Sequence, residues 1–277
     1  MYQIDRMYHI AIPSYKRHQT IAKKTLATLK RYSIDLSNVS VFVVEDEYDL
    51  YKQTCPDVQI IIGKLGLHNQ RSFINSYFPA GSAVVFLDDD IEDFFFLEKD
   101  SLTIDEVFKR GFDTCKKEGC RLWGIYPVAN RFFMDSGYSL SLAYIIGSCY
   151  GLLLDSPEAE FDRGDKEDVF RSCQYFSADK KVIRFKDVSV KSKYYTEKGG
   201  LQETRTQETN LLACQKICTL FPSFCTLWIR PRTGMAEIRL RQKIDRPCTK
   251  KASHNRDKKN AWEGALYSSV PPPAESG

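Results

Sequence analysis

Apolar residues along the first ninety positions fall into two alternating patterns. Residues 8–15, 39–44, 58–62 and 83–87 are short runs with apolar side chains on both parities, which marks strands buried on both faces. Pro13 closes the first run. Between the runs, residues 20–32 carry Ile21, Ala22, Leu26 and Leu29 at helical spacing. Residues 49–54 read as a short helix, and residues 67–77 as a longer one behind Gly63 and Gly66. Further on, helices are predicted over 104–117, 167–176 and 208–220, and strands within 121–127, 138–154 and 181–190. Short strands alternating with helices predict an α/β fold of the Rossmann type. Its mainly parallel sheet is flanked by helices and joined by right-handed crossovers.

The fourth run passes straight into Asp88, Asp89 and Asp90. Three like charges at the end of a core strand repel one another and need a compensating cation. In extended chain Asp88 and Asp90 project to the same side. That pair is a chelate for Mg²⁺ or Mn²⁺, which take carboxylate oxygens together with substrate phosphates. The plainer alternative is a solvated acidic turn. Ligands of open α/β sheets collect at the carboxyl ends of the strands. Three more polar segments belong there: Pro13, Ser14, Tyr15, Lys16 and Arg17 after the first strand; Glu45 and Asp46 after the second; Asn69, Gln70 and Arg71 at the start of the helix beyond Gly66. One cleft with a metal, carboxylates for ribose or base donors, and cations for spare charge suits a nucleotide diphosphate.

The 277 residues suffice for one large domain, or one domain with an appendage. The net charge of +4 is unevenly spread: residues 230–259 hold eleven Lys or Arg against three acids. The chain therefore divides into a catalytic domain, 1–229, and a basic C-terminal segment, 230–277. Such an excess attracts polyanions by counterion release, with Trp262 and Tyr267 available to stack on bases. A solvated tail is the alternative. The first fifteen residues carry charges and no long apolar run, and residues 143–154 are too short and interrupted to span a bilayer. No membrane association is expected. The nine cysteines are odd in number and irregularly spaced, which points to reduced thiols in a cytoplasmic compartment, the host's if the source is viral. Cys214, Cys218 and Cys225 lack a CxxC pair or a nearby His, so small buried thiols are expected there rather than zinc ligands. His9 reads as a structural histidine on a core strand, while His68 lies beside the expected cleft.

The strand ending Phe86-Leu87-Asp88-Asp89-Asp90 resembles the DxD motif of GT-A nucleotide-sugar glycosyltransferases. Residues 11–15 are similar to that class's first nucleotide-contacting strand, and residues 163–168 to its acidic ED motif. Together IPSYKR, VVED, GLHNQR, FLDDDI, KEDVFRS and the later Lys198-Gly199-Gly200-Leu201 resemble a narrower family, the glycosyltransferases associated with TET/JBP-type dioxygenases. That family occurs in phages, kinetoplastids and some animal proteins. The resemblance covers roughly residues 8–200. It implies a GT-A-like fold and transfer of a sugar from a nucleotide-sugar, UDP-glucose as first guess, to a hydroxymethylated pyrimidine such as 5-hydroxymethylcytosine in DNA. By the same resemblance Asp88 and Asp90 hold Mn²⁺ or Mg²⁺ and the diphosphate. Pro13, Ser14, Tyr15, Arg17, Glu45, Asp46, Asn69, Arg71 and Asp89 line the donor site. Asp168 is the implied catalytic base, with Asp165 and Glu167 as alternatives. Many GT-A enzymes add a late His as metal ligand, and here the one late His is His254 in the basic segment.

Other readings stand beside this one. The acceptor could be a protein or glycan, or the fold could serve as a binding module without turnover. The intact Asp88, Asp90 and Asp168 argue against the latter. Phosphoryl transfer on a DxDxT motif fails because Glu92 stands where Thr is needed. A nucleotidyltransferase lacks its Gly-rich loop, since residues 13–18 contain no Gly.

Overall fold

The computed structural model describes residues 7–98, 102–155, 166–192 and 206–241. The strands are β1 (His9–Pro13), β2 (Val39–Val43), β3 (Gln59–Ile62), β4 (Ala83–Leu87), β5 (Ile91–Phe96), β6 (Leu122–Gly124), β7 (Tyr138–Ser139), β8 (Cys149–Leu153), β9 (Ile183–Phe185), β10 (Val188–Ser192), β11 (Cys225–Ile229) and β12 (Ala236–Leu240). The helices are α1 (His18–Ile21), α2 (Ala27–Arg31), α3 (Tyr48–Thr54), α4 (Leu67–Tyr77), α5 (Ile104–Glu118), α6 (Glu167–Asp179) and α7 (Gln207–Leu220). A π-helical stretch, Ala22–Leu26, joins α1 to α2, so the helix expected over 20–32 is one run with a wide turn inside it.

The main sheet has the order β3-β2-β1-β4-β8-β6-β9-β7. Its first half is parallel, as the unbroken apolar runs predict. Beyond β4 the sheet turns mixed, because β8 runs antiparallel to both β4 and β6. Parity explains the two faces. Ile10, Ile12, Val41, Val43, Val85 and Leu87 enter one core with α1–α3 and α5, while Ala11, Phe42, Val84 and Phe86 enter the other with α4 and α6. No helix among the described residues is long and apolar enough to cross a membrane.

Two elements went unseen in the sequence. Strand β5 follows the acidic cluster directly and pairs antiparallel with β10. Its residues alternate poorly, because the register shifts between Lys191 and Ser192. The hairpin β11–β12 pairs Cys225 with Leu240 and Ile229 with Ala236. Its turn is closed by Arg230 N–H to the Met235 carbonyl at 2.9 Å, with Gly234 at positive φ. The division drawn at residue 230 therefore cuts a hairpin, and folded structure continues to Arg241. The hairpin packs with α7 against α6 through Val169, Phe170, Cys173, Cys214, Ile217 and Ile238. Cys214 and Cys225 are buried there, with Cys218 half-buried beside them.

Candidate active site

Parallel pairing brings the ends of β1, β2, β3 and β4 to one edge. Ser14 N–H donates to the Phe42 carbonyl at 3.0 Å, and Gly63 N–H to the Val43 carbonyl at 2.8 Å. Asp88 N–H donates to the Ser148 carbonyl at 3.0 Å, which adds the loop before β8. Gly66, at φ 91°, turns the chain from β3 into α4 with a backbone that L side chains rarely adopt.

The three aspartates part company here. Asp89 is buried: it accepts from Ser14 Oγ at 2.6 Å and from Arg17 Nη1 at 3.0 Å. Ser14 Oγ also lies 2.7 Å from Tyr51 Oη, and that hydroxyl accepts from Arg17 N–H at 3.0 Å. Ser14, Arg17 and Asp89 thus brace the β1 loop against the β4 end. Asp90 lies 3.6 Å from Arg17, and Asp88 accepts from Arg71 Nη2 at 2.9 Å while staying half exposed. Burial, followed by the neighbouring charges of Asp88 and Asp89, pushes the Asp90 carboxyl up to about 7. Burial also raises Asp88, with Arg71 pulling against it.

Behind Asp88 runs a buried chain of alternating charge. Arg71, 3% exposed, reaches Asp88, the Gly147 carbonyl at 2.8 Å, and Glu167 through Nη1. The second Glu167 oxygen accepts from Arg171 Nη1 at 2.6 Å. Both guanidiniums sit over the Tyr150 ring, at 5.5 and 3.7 Å, and Tyr150 stacks on Phe86. Burial would raise Glu167, but Arg171 and Arg71 outweigh it and hold the carboxyl below its ordinary range. A Cβ on Gly147 would lie 2.9 Å from Arg71 Nη1, so glycine is what allows this approach.

Asp168, next along α6, is half exposed; it accepts from Tyr144 Oη and from Val169 N–H at 2.8 Å. Glu45 and Asp46 are exposed at the end of β2 in a turn of 3-10 helix. Tyr15 is half-buried, and Lys16 Nζ lies 5.1 Å over its ring. Asn69 is exposed and bonds the Leu65 carbonyl at 3.0 Å. Gln70, by contrast, is buried, and its Oε1 accepts from Lys64 N–H. His9 stacks on Phe78 at 4.7 Å, in keeping with a structural histidine. His68 is half-buried at the start of α4. Asp165, Lys198–Leu201, Cys248, His254, Trp262 and Tyr267 lie outside the described residues. Tyr51, Tyr144, Tyr150 and Arg171 were not singled out in the sequence. Arg171 alone carried a signal, four residues beyond Glu167 on one helix face.

Among the described residues no three His, Cys, Asp or Glu side chains gather to cage a metal ion. Asp88 and Asp90 fit a different kind of site. Their like charges meet with one distant arginine for Asp90, and two hard oxygen donors suit an ion that takes its remaining ligands from water and phosphate.

The description "TET-Associated Glycosyltransferase" matches residues 8–200, which include all four edge segments and the start of α6. The chain belongs to that family. Among curated proteins nothing matches. Among solved structures, glucosyl-3-phosphoglycerate synthase from Mycobacterium tuberculosis with Mn²⁺, UDP and glucosyl-3-phosphoglycerate is 11% identical, with a TM-score of 0.46 over 86% of this chain and 88% of that one. The same enzyme with Mn²⁺, UDP-glucose and phosphoglyceric acid gives 12% identity and a TM-score of 0.45, over 88% and 90%. A further mycobacterial protein gives 10% and 0.46, over 86% and 83%. In this TET-associated glycosyltransferase the family's span ends before α7 and the β11–β12 hairpin.

Proposed function

We propose that the protein transfers a sugar from a nucleotide-sugar, UDP-glucose being the first to test, to the hydroxyl of a hydroxymethylated pyrimidine in DNA. One observation carries this reading. A member of a glycosyltransferase family brings two partly exposed carboxylates, Asp88 and Asp90, to the sheet edge where β2 ends in the exposed Glu45 and Asp46. Asp88 and Asp90 would hold Mn²⁺ or Mg²⁺. The chemistry such an ion supplies when bound is neutralisation of the charge on the departing diphosphate. Glu45 and Asp46 accept hydrogen bonds from the ribose or base. Tyr15 and Asn69 flank the same mouth. Arg71 and Glu167 act from behind, because neither is exposed enough to meet substrate.

Asp168 takes the acceptor proton. It is half exposed, and its Tyr144 bond holds the carboxylate in one orientation. Glu167 is unsuited to that role, since both its oxygens are engaged by arginines. The basic residues from Arg232 onward supply phosphate contacts for a polyanionic acceptor. The hydroxymethyl group lies in the major groove, so a base need not leave the stack to be reached.

The test is to incubate the protein with Mn²⁺, a panel of nucleotide-sugars, and DNA with or without 5-hydroxymethylcytosine, then weigh the digested nucleosides. A hexose mass added only to the hydroxymethylated base supports the reading. Transfer to protein or glycan with DNA untouched assigns the other acceptor. No transfer and no UDP release across the panel points to a module that binds without turnover.

A further inference from the structure

Helices α5 and α7 each begin with a capping box, from Thr103 and Glu106 and from Thr206 and Thr209. Helix α6, which carries Glu167 and Asp168 in its first turn, begins differently. Its N-cap is Lys166, at φ 65°, with no side-chain cap bond. A left-handed lysine is strained and persists only where its surroundings hold it. The surroundings are the β11–β12 hairpin. Lys166 Nζ donates to Glu237 Oε2 at 2.9 Å, and Arg230 Nη2 lies 2.8 Å from Glu237 Oε1. The Lys166 and Glu237 side chains are each 9% exposed. Buried charges of this kind are costly, so the pair is poor cement; what it supplies is a defined position.

The hairpin has its own anchor. Asn210 of α7 donates through Nδ2 to the Ala236 carbonyl at 2.7 Å, one residue before Glu237. The Lys166 carbonyl accepts from Phe170 N–H at 3.0 Å, the first bond of α6. Lys166 thus joins two buried charge networks end to end. Its side chain belongs to Arg230 and Glu237, and the next residue, Glu167, belongs to Arg71 and Asp88.

We propose that Glu237 is a positioning residue for the transfer reaction: through Lys166 it sets the first turn of α6, and so the placement of Asp168. This rests on the functional reading above, in which Asp168 takes the acceptor proton. Glu237 lies beyond the 8–200 span of the family, so the device belongs to the C-terminal unit of this chain. The donor edge is reached only indirectly, through the Glu167–Arg71 pair: Asp88 and Asp90 follow β4, Asp88 N–H is held by the Ser148 carbonyl, and Glu45 and Asp46 follow β2.

The test compares Glu237→Gln and Glu237→Asp with the wild type in three measurements. The first is turnover with the active donor and acceptor. Misplacing a catalytic group by about an ångström costs up to about 10²-fold, so kcat of E237Q should fall at least tenfold while the donor KM stays within about twofold. E237D, which keeps the charge, should regain part of that loss. The second is amide hydrogen exchange: Val169 and Phe170 should exchange faster in E237Q, with β1–β4 unchanged. The third is melting temperature, which shows that each variant is folded at the assay temperature. A lowered melting temperature with kcat unchanged would make Glu237 a merely structural residue and overturn the proposal, as would unchanged exchange at α6. If the wild type turns over nothing in the panel, the functional reading fails. The exchange arm then still decides whether Glu237 pins the helix.

Discussion

Arg71→Met is the sharpest perturbation of the buried charge chain. It removes the Nη2 donor from Asp88 at 2.9 Å and from the Gly147 carbonyl at 2.8 Å, and it leaves Glu167 with Arg171 alone. The Glu167 side chain is 10% exposed, so water cannot replace the lost partner. Removing one member of a buried ion pair costs about 3–5 kcal/mol. Arg171 still holds the other Glu167 oxygen at 2.6 Å, so the low end applies, about 3 kcal/mol. In a domain of this size each kcal/mol moves Tm by roughly 2–4 °C, so Tm should fall by about 6–12 °C. The assay is thermal unfolding of both proteins in chelator, followed by UDP titration with Mn²⁺. An Arg71 that faced the diphosphate directly, as the resemblance to GT-A enzymes implies, would show the opposite pattern. Tm would hardly move and UDP affinity would collapse. A Tm within about 2 °C of wild type refutes the reasoning from burial.

Asp168→Asn should cost at most about 1 kcal/mol in stability yet slow turnover by about 10²-fold or more at unchanged donor affinity; near-normal turnover moves the proton elsewhere. Asp90, pushed up to about 7 from 3.8, makes the native state hold a proton that the unfolded chain has already released. The metal-free protein should therefore lose stability as pH rises between those two values, and Asp90→Asn should flatten the slope. Denaturant titrations in chelator read this directly, and a flat wild-type profile sinks the argument. Truncation after Arg241 keeps the β11–β12 hairpin, so Tm should hold while the salt dependence of DNA binding flattens. Truncation after Ile229 removes β12 and should destabilise the protein. Equal melting of the two truncations would mean that the hairpin contributes nothing.

The order of strands and helices through residue 87 was legible in the sequence, because strands buried on both faces and amphipathic helices each leave a local period. So was the edge at which β1, β2 and β4 all end, since parallel strands must bring their carboxyl ends together. Strand β5 and the β11–β12 hairpin were not legible. The first is broken by a register shift, and the second straddles the start of the basic segment, whose charges mask the apolar alternation of Ala236, Ile238 and Leu240. Side-chain roles were the least visible. Asp89 turns in to Ser14 and Arg17, Arg71 and Glu167 bury each other, and Glu237 reaches Lys166 across 71 residues. Residue type says that a charge is present. Whether it faces substrate or a partner of opposite sign depends on which distant element packs against it, and that is decided only when burial forces each charge to find a counter-ion.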